Sequence, residues 1–137
     1  MQRLQERDFR LLLEFLRGLY APRDLDAFVK HVLSALPGVI PSELTSYNEM
    51  IPEKRASANW TNPADYCTPA GDERWKQVMH EQPMLAYYQK TRNGRALKIS
   101  DFLSRRQLHS MAIYREHYRP MGAEDNLTVV LDAPYQS

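Results

Sequence analysis

The sequence predicts an α+β domain arranged around an antiparallel sheet. Three observations point there. Two amphipathic helical patterns open the chain, a pair of alternating strand patterns follows, and short helices and strands share the second half. A chain of 137 residues fits one domain, read as spanning 1–137. At 43% hydrophobic and 26% charged, it lies outside the disordered, collagen-like and low-complexity classes.

Residues 4–20 read as a helix, with Phe9, Leu12, Leu13, Leu16 and Tyr20 on one face to be buried. Leu4, Leu11 and Phe15 form a second seam. A helix apolar on two sides needs two partners, so it is either deeply buried or carries a self-association surface. Pro22 closes it, and Asp24 is the expected N-cap of the next helix. Residues 25–36 place Leu25, Phe28, Val29, Val32, Leu33 and Leu36 on an apolar face, and Pro37-Gly38 stops the run. A strand over 43–51 alternates Thr45, Tyr47, Glu49 and Ile51 against Leu44, Ser46, Asn48 and Met50. Pro52-Glu53 then turns the chain into a second strand over 54–60.

The composition of 61–72 is that of a loop. Asp72 would cap a short helix carrying Trp75, Val78 and Met79 on one side, and Pro83 suits the first turn of a helix over 83–90. Asn93-Gly94 marks a turn, and 96–99 a short strand. Ser104 and Gln107 have capping-box spacing, which starts a helix over 105–118 that buries Leu108, Met111 and Ala112. Pro120 and Gly122 end that helix. The last strand, 126–132, sets Leu127, Val129 and Leu131 against Thr128 and Val130, and Pro134 terminates it.

Eighteen Lys and Arg against seventeen Asp and Glu leave a formal charge of +1 with both signs scattered, so no basic face for nucleic acid is expected. Arg92, Arg95 and Lys98, then Arg105 and Arg106, are the densest basic clusters and read as solvated surface. No uncharged run approaches the ~20 residues of a membrane span, and the charged N-terminus does not read as a secretion signal. No membrane partner and a cytoplasmic location are therefore expected. A single cysteine, Cys67, forms no intramolecular disulfide.

Catalytic and metal motifs are missing from the sequence. His80-Glu81 has no second histidine at zinc-protease spacing, and one cysteine builds no Cys/His zinc set. His109 and His117 lie eight residues apart, too far to share an ion on one helix. Cys67 has no histidine nearby in sequence to activate it, and Asp101 and Glu116 read as cap and surface charge rather than a catalytic pair. No metal and no cofactor are expected, and the chain is not expected to be an enzyme. The surviving enzymatic alternative uses His109 or His80 as a base, which requires a pocket that holds the imidazole within reach of a carboxylate.

Aromatic residues gather in the middle of the chain: Tyr47, Trp60, Tyr66, Trp75, Tyr87, Tyr88 and Phe102. Rings with polar tips line small-molecule pockets, and they also build ordinary cores. Tyr47, Trp60, Met79, Tyr87 and Phe102 are the candidate pocket walls, and Leu4, Leu11 and Phe15 the candidate dimer seam.

Three segments resemble a known family. Pro41-Ser42-Glu43-Leu44-Thr45-Ser46-Tyr47-Asn48-Glu49 is similar to the "IP-(S/A)-D-x-x-S-Y-N-E" strand of GAF-like sensor domains in LuxR-type bacterial transcription regulators. Glu81-Gln82-Pro83, Tyr87-Tyr88 and the run from Asn93 to Ser104 resemble the "EHP…YY..TGDGRAxKISDFLS" stretch. Tyr114, then Tyr118 to Gly122 with Glu124-Asp125, resemble the segment "Y…(F/Y)-Y-R-P-L-G-(V/A)-E-D". The resemblance implies a GAF-like fold, with a central antiparallel sheet, the N-terminal helices on one face, and short helices and loops on the other.

It also implies a non-enzymatic, signal-sensing role. A small-molecule effector would bind the aromatic pocket and a homodimer would rearrange in response. DNA would be reached only through a C-terminal helix-turn-helix domain. The chain ends at Ser137, before the last strand and helix and the helix-turn-helix of such regulators, so it reads as their sensor portion or as a stand-alone module. Cys67 matches no bilin or metal anchor, and those cofactors are not carried over. A ligand-free dimerisation module with the same fold is the alternative.

Overall fold

The computed structural model describes residues 3–51, 56–66 and 68–131. The chain divides into two compact units, Met1–Cys67 and Thr68–Ser137.

The first unit begins with α1 (Glu6–Tyr20). Gln5 and Asp8 close a reciprocal capping box at its start, with the Gln5 N–H donating to Asp8 Oδ2 at 2.7 Å. Asp24 caps α2 (Leu25–Val39), its Oδ1 accepting the Ala27 N–H at 2.8 Å. α2 runs past the stop expected at Pro37. Proline has no N–H to give to the carbonyl four residues back, that of Leu33. The Asn62 side-chain amide donates to that carbonyl at 2.8 Å instead. With its orphaned acceptor satisfied, the helix tolerates the proline in its last turn.

The helices pack through Leu12, Phe15, Gly18 and Leu19 of α1, which are half-buried. The Phe15 ring stacks on His31 at 5.5 Å, and the His31 ring nitrogen lies 3.2 Å from the Phe15 carbonyl. Any side chain at Gly18 would run into the His31 ring. The face expected to be buried is the other one: Phe9, Leu13, Leu16 and Tyr20 are exposed.

The expected hairpin is present. β1 (Thr45–Ile51) pairs antiparallel with β2 (Ala56–Asn62), in a register that sets Tyr47 opposite Trp60 and Thr45 opposite Asn62. Thr45, Tyr47 and Glu49 face inward and Ser46 and Asn48 face out, as the alternation predicts. The turn expected at Pro52-Glu53 lies outside the described residues, as do Cys67 and Pro134.

In the second unit, α3 (Pro69–Val78) starts earlier than expected. Thr68, not Asp72, is its N-cap: Thr68 Oγ1 accepts the Gly71 N–H at 3.0 Å and Pro69 occupies the first turn. Asp72 pairs with Lys76 at 3.1 Å. α4 (Pro83–Thr91) follows, capped by the buried Gln82, whose Oε1 accepts the N–H groups of Met84 and Leu85. Arg92 ends it in the left-handed conformation, φ 58°.

β3 (Leu97–Lys98) pairs antiparallel with β4 (Leu127–Thr128). Both are shorter than expected, and side chains that compete for the backbone explain why. The Lys98 N–H goes to Asp101 Oδ2 at 2.8 Å, and the Ser100 N–H to Asp125 Oδ1 at 3.2 Å, which drives residues 99–101 into a 3-10 turn.

The helix expected over 105–118 is two pieces. α5 (Arg105–His109) carries the Ser104/Gln107 capping box and ends at Ser110, whose N–H bonds back to Gln107. Helix resumes over 112–121 through a π-helical turn at Tyr114–Tyr118 and ends in α6 (Arg119–Met121). Pro120 cannot continue a regular α ladder, and the Arg119 N–H reaches back five residues to Tyr114. Val78, Met84, Ile99, Leu108, Ile113 and Tyr118 form the core of this unit.

The single central sheet expected from the sequence is therefore corrected. Among the described residues there are two separate two-stranded antiparallel sheets, β1-β2 and β3-β4, one in each unit. A sheet of this kind does not provide the GAF-like, LuxR-type topology that the resemblance implied, with helices on one face of a large sheet and loops on the other. The α+β class itself remains.

Candidate functional site

The five residues expected to wall one pocket fall into two groups. In the first unit, Tyr47 and Trp60 meet across the hairpin with ring centroids 6.0 Å apart, and Phe28 of α2 presents its edge to Tyr47 at 6.2 Å. Burial, with the nearby Glu49 charge, raises the Tyr47 phenol. In the second unit, Tyr87 and Phe102 pack edge to face at 5.6 Å. Met79 lines a shallow cleft of about 170 Å³ with His80, Leu85, Ala86 and Gln89. Of the expected dimer seam, Leu4 and Leu11 are exposed, whereas Phe15 is half-buried on the face toward α2.

A larger cleft in the second unit, about 240 Å³, is lined by Ile99, Ser100, Leu103, Ser104, Arg105, Leu108 and Glu124. The buried Ile99 and Leu108 make its wall apolar, and polar groups converge on Glu124 at its rim. His109 Nε2 lies 2.7 Å from Glu124 Oε2, the Tyr114 hydroxyl donates to Oε1 at 2.9 Å, and Arg105 Nε donates to Oε2 at 3.4 Å. The His109 and Tyr114 rings stack at 4.0 Å. Helix geometry arranges this. His109 ends α5 and Tyr114 opens the π-turn, while the left-handed Gly122 (φ 71°) returns the chain so that Glu124 reaches both.

Hydrogen bonds from His109 and then Tyr114 hold the Glu124 carboxyl below its ordinary 4.5, and the same bond to Glu124 raises the Tyr114 phenol. Next to it, burial works against the Asp125 carboxylate, but hydrogen bonds from Ser100, at 2.6 Å from the hydroxyl, and from the Asn126 N–H hold it low. Two adjacent carboxylates are thus held as anions by the hydrogen bonds around them.

Sequence reasoning singled out His109 as a candidate base but named no carboxylate for it. The carboxylate that His109 meets is Glu124, fifteen residues on, a contact made only when the helix over 112–121 folds back. The one local clue is Gly122, since a glycine after a helix end signals a reversal. Among the described residues no group of His, Cys, Asp and Glu is placed to hold a metal ion, and no helix is long and apolar enough to cross a membrane.

His117 is a second titratable group inside this unit. Its ring packs on Trp75 at 4.6 Å, and burial, aided by the Arg74 charge, lowers it from 6.5 to about 4. A base whose folded value lies below its free value adds stability above the free value, which is lost as pH falls toward the folded one. The melting temperature is therefore expected to drop between pH 6.5 and about 4. A His117→Phe variant, which keeps a ring on Trp75, should show a flatter profile over that interval.

No protein-family model matches the chain, and neither does any curated protein or solved structure.

Proposed function

We propose that this chain is a non-enzymatic regulatory domain that senses a small molecule in the cleft at Glu124. One observation carries the reading: an apolar wall faces a charged rim already held in place by His109, Tyr114 and Arg105. Apolar surface with a few fixed polar groups is the chemistry of a ligand site. At about 240 Å³ the cleft suits an effector smaller than the usual drug-sized ligand. The segments that resemble the sensor regions of helix-turn-helix regulators support the regulatory half of the reading. DNA would be reached through a separate domain, in the cytoplasm.

Native mass spectrometry of the protein purified from its own host tests it. A small-molecule adduct is expected on the wild type and its loss on Leu103→Trp, which fills the cleft. A bare protein mass in both overturns the sensor reading and leaves a ligand-free dimerisation module. His109 within 2.7 Å of Glu124 favours one further reading, a small enzyme using His109 as a base. Turnover of the bound molecule by wild type but not by His109→Gln, with binding kept, would decide for it.

A further inference from the structure

Among the described residues of the first unit, an exposed apolar stripe lies on α1. Phe9, Leu13, Leu16 and Tyr20 are 53%, 63%, 44% and 86% exposed. At 100° per residue they form one stripe, flanked on one side by the face that packs on α2 and on the other by Glu6, Arg10 and Arg17. Side chains of this size leave on the order of 500 Å² of exposed surface. That is as large as the biggest patch on an ordinary monomer, which is often functional.

We propose that a second copy of this chain covers the stripe, pairing α1 with α1 about a two-fold axis. The spacing of the four residues, four, three and four, reads the same from either end. An antiparallel copy therefore sets Phe9 against the partner's Tyr20, and Leu13 against the partner's Leu16. An isologous interface requires this self-complementarity of its patch. Two stripes together bury roughly 1,000 Å², at the lower end of specific interfaces, so the dimer is a weak, concentration-dependent one. Charge argues against a lipid surface as the occupant. α1 carries three acidic residues (Glu6, Asp8, Glu14) and three basic ones (Arg7, Arg10, Arg17), whereas helices that lie on anionic membranes are rich in Lys and Arg on the polar face.

The proposal does not depend on the cleft at Glu124. Sedimentation equilibrium of the full chain tests it across a wide concentration range. A monomer–dimer equilibrium is expected, with Leu13→Glu and separately Tyr20→Glu each weakening it at least tenfold. Both positions are exposed in the monomer, and an unchanged circular dichroism spectrum confirms that the variants fold. Leu4→Glu and Leu11→Glu, exposed but outside the stripe, are expected to leave the equilibrium unchanged. A monomer at every concentration overturns the proposal, as does a dimer lost through Leu4 or Leu11 instead. Binding of a monomeric chain to phosphatidylglycerol vesicles that Leu13→Glu abolishes would also overturn it, in favour of lipid.

Discussion

Ile113→Ala is expected to lower the stability of the second unit by about 2–5 kcal/mol. Ile113 is 0% exposed and sits where Val78, Met84, Leu108 and Tyr118 converge. The substitution removes three buried carbons, and the surroundings cannot collapse fully into the gap. They are held by the capped ends of α4 and α5 and by the Ile113 N–H, which donates to Glu81 Oε1 at 3.3 Å. Such a loss is a large share of the ~5–15 kcal/mol that separates a typical domain from its unfolded state. Urea denaturation followed by tryptophan fluorescence reads it, with Trp75 packed against this core. Ile113→Val, which deletes one methylene, should cost only about 0.5–1.5 kcal/mol. Equal effects of the two would show that the site is not close-packed.

Gly94→Ala is expected to be almost as damaging, for a different reason. A methyl group at residue 94 would fall on the carbonyl oxygen of Val130. The same two residues are joined by a backbone hydrogen bond, Val130 N–H to the Gly94 carbonyl at 3.0 Å, so the strands cannot part without breaking it. Overpacking of this kind costs about 1–3 kcal/mol. Because β3 and β4 pair over only two residues each, loss of this outlying bond should reach the sheet itself. Hydrogen exchange at the Val130 amide is the measurement. Exchange in Gly94→Ala as slow as in the wild type would mean the strands had absorbed the methyl group without parting.

Legibility in the sequence followed the range of the interactions. Capping signals act over three or four residues, and Asp24, Pro83 and the Ser104/Gln107 pair mark real helix starts. The hairpin was legible because alternation and the flanking prolines are local too. Pro37 misled, because the group that rescues Leu33 sits twenty-nine residues away on β2. For α1 the periodicity alone could not choose between faces. Gly18 decides it, by admitting the His31 ring where any larger residue would collide. That glycine was visible in the sequence, but its meaning depends on what faces it.

The central sheet failed as an expectation for a similar reason. Strand patterns at 43–60 and 96–132 are compatible with one sheet, and nothing local says which strands pair. Asp101 and Asp125 divert the backbone of residues 98–100 from longer pairing, and this became readable only with the chain folded. The Glu124 cluster escaped for the same cause, since its members come from α5, the π-turn and the segment after α6.

The amide of Asn62 occupying the carbonyl that Pro37 vacates has a consequence for how the first unit melts. A helix whose final turn relies on a donor from a strand cannot keep that turn once the strand peels away, and the strand's end loses its tether when the helix frays. The two elements should therefore lose protection in a single step, and the C-terminal turn of α2 reports on the hairpin as faithfully as the hairpin's own amides do.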